Sequence, residues 1–251
     1  KGDIMLIQFS VSNWRSVKEI QTLSLVLAKG TELLASNSFT PTAPATPSLL
    51  RSAAIYGANA AGKSNLLRAM QAMKKMVMDS SKGQRGDLVP VTSFLLDSAT
   101  EESPSEFEAF LVADGVRYQY GFSATPERIH EEWLFAYPNG RSQKWLGRAW
   151  DAEKETYQWE KCNALTGQKQ LWQESTRENA LFLSTAVQLN SKQLQPVYDW
   201  FKKTLRLANV SGWSPSFTAS LCKDSEQSKK VLAFLQAADL DIQDVIVEFP
   251  R

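Results

Sequence analysis

In this 251-residue chain, the side chains best placed to do chemistry are Gly57, Gly62, Lys63 and Ser64, spaced as G-x-x-x-x-G-K-S. The spacing is that of a phosphate cradle. Gly57 lets the chain turn off a preceding strand, and Gly62 lets backbone N–H groups approach phosphate oxygens with no Cβ in the way. Ala58, Asn59, Ala60 and Ala61 contribute loop N–H groups, and Asn65 carries the segment into a helix whose positive end favours an anion. Lys63 is the residue of catalytic character, because its ammonium reaches the β- and γ-phosphates. The Ser64 hydroxyl is a hard oxygen ligand of the kind Mg²⁺ takes alongside phosphates and water. The implied ligand is a nucleoside triphosphate with Mg²⁺. No Asn-Lys-x-Asp guanine reader accompanies the loop, which favours ATP.

Such a loop needs a strand before it and a helix after it. Residues 52–56 form a short apolar run ending at Gly57, read as a buried strand. Beyond Gly62, Leu66, Leu67, Met70, Met73, Met76 and Val77 recur at helical spacing, and the helix is expected to end near Asp79. Upstream, residues 5–11 and 20–27 read as strands. Residues 36–48, rich in Ser, Thr, Pro and Ala, read as a surface loop.

Residues 90–160 change character. Phe107, Ala109 and Leu111, then Val116, Tyr118, Tyr120 and Phe122, then Ile129, Trp133, Phe135 and Tyr137 alternate, with turn residues such as Asp114-Gly115 between the runs. This predicts an antiparallel meander that Trp145, Trp150 and Trp159 continue. Its aromatics could stack bases, although half-buried packing is the commoner cause. After residue 175 helices return, one set on Leu194, Val197, Trp200, Phe201 and Leu205 and another over 225–238, with a last strand over 242–249. The expected divisions are residues 1–89 for the first strands, loop and helix, 90–174 for the β subdomain, and 175–251 for the helical part and last strand. The fold class is α/β.

Composition bounds the function. Lys+Arg and Asp+Glu nearly balance, giving a formal charge of +1, so no global nucleic-acid footprint exists; Lys74, Lys75, Lys82 and Arg85 could supply only a local basic face. Cys162 and Cys222 lack metal-ligand spacing and fit a reducing cytoplasm. With His130 as the only histidine, His-rich zinc sites are excluded, and His130, beside Glu131 and Glu132, reads as structural or surface-lying. No apolar run is long enough to span a membrane, and residues 1–30 lack signal-peptide patterning.

The sequence over 54–67, Ala-Ile-Tyr-Gly-Ala-Asn-Ala-Ala-Gly-Lys-Ser-Asn-Leu-Leu, resembles the Walker A segment of ABC-type ATPases related to RecF, the SMC-like repair ATPases and the OLD proteins. The stretch over 9–16, Phe-Ser-Val-Ser-Asn-Trp-Arg-Ser, is similar to their N-terminal strand and turn. The resemblance implies that Asn13, Trp14, Arg15 and Ser16 contact the nucleotide, Arg15 as a permanent cation for phosphate. Segments 94–97, 114–122 and 181–190 resemble a narrower set, the bacterial AAA-family ATP-binding proteins linked to abortive infection and phage defence. The implied fold is a P-loop NTPase, an ABC-ATPase-like head lobe with an inserted antiparallel β meander and a C-terminal helical part.

The sequence departs from that family pattern in one respect. No apolar strand ends in an acidic pair. Residues 240–249 carry acids without one, Ser211-Gly212-Trp213-Ser214 does not open a helix as a signature segment does, and no late switch histidine follows. The chain therefore reads as the Walker A half of a longer ATPase, able to bind ATP and not to turn it over alone. The resemblance implies a homodimer with ATP sandwiched between heads, controlling an effector such as a nuclease or acting on nucleic acid. A non-hydrolysing ATP-binding interaction module is the alternative. A P-loop small-molecule kinase fits less well, since Arg85 stands alone where an arginine-rich lid would lie.

Overall fold

The computed structural model describes residues 5–30, 32–208, 215–238 and 242–247. Residues up to Leu205 form one compact unit and those from Arg206 a second.

The frame of the first unit is a seven-stranded antiparallel sheet in the order β2-β1-β5-β6-β7-β8-β9. Its strands are β1 (Met5–Ser12), β2 (Gln21–Ser24), β5 (Ser105–Ala113), β6 (Val116–Ala124), β7 (Ile129–Tyr137), β8 (Gln143–Asp151) and β9 (Thr156–Trp159). The meander is as the alternation predicts, and Asp114 and Gly115 close its first hairpin with positive φ at both positions. What the alternation does not reveal is that β1 pairs with β5 along almost its whole length, Phe9 opposite Ala109 and Val11 opposite Phe107. The N-terminal strands and the meander are thus one sheet, with no break at the expected 89/90 division. The second strand is shorter than expected, Gln21–Ser24 rather than 20–27.

Between β2 and the phosphate loop lie α1 (Leu34–Asn37) and a two-stranded ribbon of β3 (Ser38–Phe39) and β4 (Leu49–Leu50). The Ser/Pro-rich stretch here is not wholly surface. Ala43 and Leu49 join Ile7 and Val112 in a small buried cluster, because small side chains let the loop settle against β1 and β5.

The main helix, α2 (Lys63–Asp79), ends where the periodicity predicts and buries Ala69, Met70, Met73, Met76 and Val77. Leu67, expected on the same stripe, is exposed. α3 (Ser98–Glu101), α4 (Lys169–Ser175), α5 (Phe182–Gln188) and α6 (Gln195–Asp199) complete the unit, and α6 runs into a π-helical turn at Trp200–Thr204. α2 packs on α5 and on that turn, while Phe201 meets Tyr120 of the sheet edge-on at 5.9 Å. Ser184 Oγ donates to Val77 O at 2.6 Å, fixing α5 to α2.

At the centre of this contact is a charged group. Glu132 and Arg148 are both fully buried and paired at 3.1 Å. Glu132 also accepts from the backbone N–H groups of Phe182 (2.7 Å) and Leu183 (3.0 Å) and from the Tyr120 hydroxyl (3.0 Å). Arg148 donates to Ala180 O at 2.6 Å and faces the Tyr157 and Trp159 rings at 4.9 and 5.5 Å. The carboxylate thus satisfies the donors that open α5 and fixes it to β7.

On the other side of the strands, Glu108 accepts from Gln119 Nε2 (2.7 Å) and Trp133 Nε1 (2.8 Å). The indole of Trp133 lies directly on Gly121. A Cβ at Gly121 would meet the indole in overlap and Phe107 O at 2.8 Å. Gly121→Ala is expected to cost about 1–3 kcal/mol of folding stability through this overpacking, read as a lower denaturation midpoint; an unchanged midpoint would contradict the packing described. The other aromatics of the stripe pair among themselves, Trp150 with Tyr157 at 5.2 Å and Trp159 with Phe182 at 5.3 Å. His130 on β7 is half-buried and shares a hydrogen bond with Thr125 Oγ1 at 3.0 Å; burial, then the Arg128 charge, hold its pKa below the usual value.

In the second unit, α7 (Pro215–Leu221) and α8 (Ser225–Ala237) are described. Asp224 caps α8 by accepting from the N–H groups of Glu226 and Gln227. The strand expected over 242–249 is not formed in 242–247, where no partner strand lies alongside among the described residues, and 248 and 249 lie outside them. The segment 211–214 also lies outside the described residues.

Candidate phosphate-binding site

Gly62 opens α2 with φ +85°, left-handed backbone that glycine adopts without strain. The N–H groups of Lys63 and Ser64 begin the helix with no carbonyl a turn behind them, so they face outward as donors. The second left-handed position is Ala60 (φ +64°) and not Gly57, which corrects the role expected of Gly57. Ala61 N donates to Ala58 O at 3.2 Å and closes the turn. The Lys63 side chain folds back over this loop, its Nζ donating to Gly57 O and Ala58 O, both at 2.7 Å.

The strand expected before the loop is absent. Residues 52–56 form no regular secondary structure and are exposed, Tyr56 to 90% and Ile55 to 39%. The reason is partnership. A strand needs a neighbour to bond its backbone groups, and among the described residues none runs beside this one, so its apolar side chains have no sheet to pack into.

The second sequence element, residues 13–16, is a tight hairpin bend. Trp14 and Val17 exchange backbone hydrogen bonds at 2.8 and 2.9 Å, Asn13 N donates to Lys18 O at 3.0 Å, and Arg15 takes φ +52°. This bend and the phosphate loop face one another. Asn65 Nδ2 donates to Ser16 Oγ at 2.5 Å, and Arg68 Nη1 donates to Asn65 Oδ1 at 3.2 Å. A cavity of about 350 Å³ lies between them, lined by Ser16, Val17, Lys18, Gln21, Ile55, Tyr56, Ala61, Gly62, Lys63 and Leu66. It carries two lysines and, among the described lining residues, no carboxylate. Its volume is at the small end of ligand pockets.

Not every expected residue reaches this cavity. Ser16, Ala61, Gly62 and Lys63 line it; Ser64 is exposed on the same helical turn, and Asn65 reaches it through Ser16. Gly57, Ala58, Asn59 and Ala60 sit in the exposed loop alongside. Asn13 is buried, and its side chain is engaged elsewhere. Its Nδ2 donates to Thr100 O (2.9 Å), Ser103 O (2.8 Å) and Pro104 O (3.3 Å), and its Oδ1 accepts from Phe94 N at 3.0 Å. Trp14 is buried edge-on to Phe107. The Arg15 guanidinium lies over the Trp14 ring at 4.8 Å and is not among the lining residues. In this structure, then, the Asn13 amide bonds the backbone of residues 94–104 and the Arg15 guanidinium lies on Trp14, and neither is among the residues lining the cavity.

In their place the cavity has Lys18 and Gln21, which the sequence reading missed. The signal was present for Lys18: two residues beyond Ser16, it follows from closing the bend between Trp14 and Val17. Lys18 Nζ is paired with Asp97 Oδ2 at 2.7 Å. The Lys18 hydrogen bond, then the Ala99 N–H, hold the Asp97 carboxyl below its usual pKa, and Asp97 raises that of Lys18. Nothing in the sequence tied Asp97 to this place.

The donor set fits a polyphosphate: an ammonium at Lys63, unpaired N–H groups at the start of a 17-residue helix, and a hydroxyl at Ser64 suited to Mg²⁺. Among the described residues no helix is long and apolar enough to cross a membrane. Residues 52–170 match the family described as "AAA domain, putative AbiEii toxin, Type IV TA system". The match begins just before the phosphate loop and runs through the meander into α4. No curated protein matches the chain.

Proposed function

From the match of residues 52–170 to the AAA-domain family, we propose that the chain binds Mg²⁺·ATP in the cavity between the phosphate loop and the bend at residues 13–18. The observation that carries this reading is the G-x-x-x-x-G-K-S loop opening α2 within the matched segment, with Lys63 on the cavity wall. Bound phosphate replaces the Gly57 and Ala58 carbonyls as the partner of the Lys63 ammonium, and the first N–H groups of α2 donate to its oxygens. The Ser64 hydroxyl would hold Mg²⁺, which would supply charge neutralisation to the polyphosphate. The chain on this reading is one head of a dimeric ATPase whose closure on ATP controls an effector such as a nuclease, in cytoplasmic defence against phage.

Lys63→Ala is expected to weaken Mg²⁺·ATP binding at least about tenfold, roughly 1.5–3 kcal/mol, by removing charge-assisted contacts. Titration calorimetry reads this directly, and equal affinities for wild type and variant would defeat the proposal.

A second reading, a non-hydrolysing ATP-binding module, is favoured by one observation: no carboxylate is among the described residues lining the cavity, so none of them offers a carboxylate base for an attacking water. Phosphate release by the 251-residue chain is expected to stay at the buffer rate while ATP still binds. Steady turnover by this chain alone, abolished in Lys63→Ala, would reject that expectation. Turnover that depends on ATP-driven dimerisation would decide for the ATPase.

A further inference from the structure

We propose that Lys18 is the second phosphate-binding cation of this cavity, and that Asp97 competes with the nucleotide for it. The proposal rests on the ATP-binding reading above and adds to it a residue and a competitor.

Two facts place Lys18. It lines the same cavity as Lys63 and Gly62, on the opposite wall. Its position is set by the backbone of the bend, because Asn13 N bonds Lys18 O and Trp14 pairs with Val17. The cation the motif would nominate, Arg15, instead lies on the face of Trp14. A polyphosphate carrying three to four negative charges is held better by more than one cation, and among the described residues lining the cavity Lys18 is the second ammonium besides Lys63, with no arginine among them.

The competitor follows from the pairing. Lys18 bonds Asp97 Oδ2 with side-chain exposures of 44% and 32%. An exposed ion pair of this kind holds weakly and is screened by salt. The phosphate group offers more charge together with the adjoining donors of α2, so it takes Lys18 from Asp97. Asp97 is not left without partners, because its Oδ1 accepts from Ala99 N at 2.9 Å and caps α3.

The test is calorimetric titration of the 251-residue chain with Mg²⁺·ATP, and with inorganic tripolyphosphate as a probe lacking base and ribose. Lys18→Gln is expected to weaken both ligands about tenfold. Asp97→Asn, which retains the cap on Ala99 N, is expected to tighten both about two- to fivefold by freeing Lys18. In Lys18→Gln the added Asp97→Asn change is expected to have no effect, as a competition acting through one lysine requires. A merely structural role for the pair predicts weaker binding in both single variants, so weakened or unchanged affinity in Asp97→Asn overturns the proposal. So does a Lys18→Gln loss confined to ATP. Lys63→Ala in the same assay separates the two levels. If it too leaves binding unchanged, the ATP-binding reading fails. If it abolishes binding while Lys18→Gln does not alter it, this inference alone fails.

Discussion

Replacing Glu132 with alanine is expected to lower folding stability by about 3–5 kcal/mol, the largest effect of any single change considered, because it strands Arg148 as a buried unpaired charge. The carboxylate has no solvent exposure and four partners: Arg148, the N–H groups of Phe182 and Leu183, and Tyr120. Removing it leaves three donors besides the guanidinium with no acceptor, each of which keeps its desolvation cost. Arg148 has little in reserve, since its Nε and Nη1 are buried with no hydrogen-bond partner and rest against ring faces. Urea unfolding of wild type and Glu132→Ala measures the loss. A loss below about 1 kcal/mol would mean that the group is not the anchor described. The companion double variant, Glu132→Gln with Arg148→Met, removes both charges together and is expected to recover much of the loss, because replacing a whole buried pair is far less damaging than breaking it. The effect bears on the site indirectly. Glu132 fixes α5 to the sheet, and α5 is bonded to α2 through Ser184 and Val77 O, so the group holds the helix that carries Lys63.

Asn13→Ala is expected to cost about 2–3 kcal/mol of stability and to weaken ATP binding as a consequence. Four hydrogen bonds run from this amide to backbone groups of residues 94–104, and they are what hold that loop against the end of β1. The lost bonds leave the half-buried Phe94 N–H and Pro104 carbonyl without this partner, and alanine tolerates the φ of +46° less well than asparagine does. The two roles considered for Asn13 give different results. A scaffold residue loses stability first, with affinity falling because the bend at 13–18 loosens; a ligand contact loses affinity at full stability. A variant with an unchanged urea midpoint and a large loss of ATP affinity would restore the contact that the sequence suggested.

Asn13 also illustrates what a sequence segment leaves open. The stretch Asn13-Trp14-Arg15-Ser16 stands out by its resemblance to the N-terminal turn of the ABC-type ATPases, with Arg15 as a permanent cation, and of its residues Ser16 lines the cavity. Which of its side chains face the cavity was decided by the bend. Closing Trp14 on Val17 turns Ser16 and Lys18 inward, buries Asn13 and lays Arg15 on Trp14. Side-chain type along a strand is local information, whereas direction out of a bend depends on which backbone groups pair.

The helix and the meander were legible for the same reason that the strand before the loop was not. In α2 the stripe Met70, Met73, Met76 and Val77 and the left-handed Gly62 are satisfied within the segment or by one packed face, so periodicity reports them. In the meander each strand pairs with its neighbour in sequence, and turn residues mark every reversal. The exception is β1, whose partner β5 begins 93 residues after β1 ends, at Ser105 against Ser12, a pairing with no local signature. Residues 52–56 have the composition of a strand and no described neighbour to make one.

By itself, then, the sequence determined the elements whose energetics are local: the phosphate loop from Gly57 to Ser64, the helix that follows, and the alternating strands with their turns. The tertiary structure alone decided the rest. It joined the N-terminal strands to the meander, buried Glu132 against Arg148 under α5, and set Lys18 rather than Arg15 on the wall facing Lys63. Each of these depends on groups distant in sequence meeting in space, where hydrogen-bond satisfaction and burial are settled by the whole packed arrangement and not by the types of neighbouring residues.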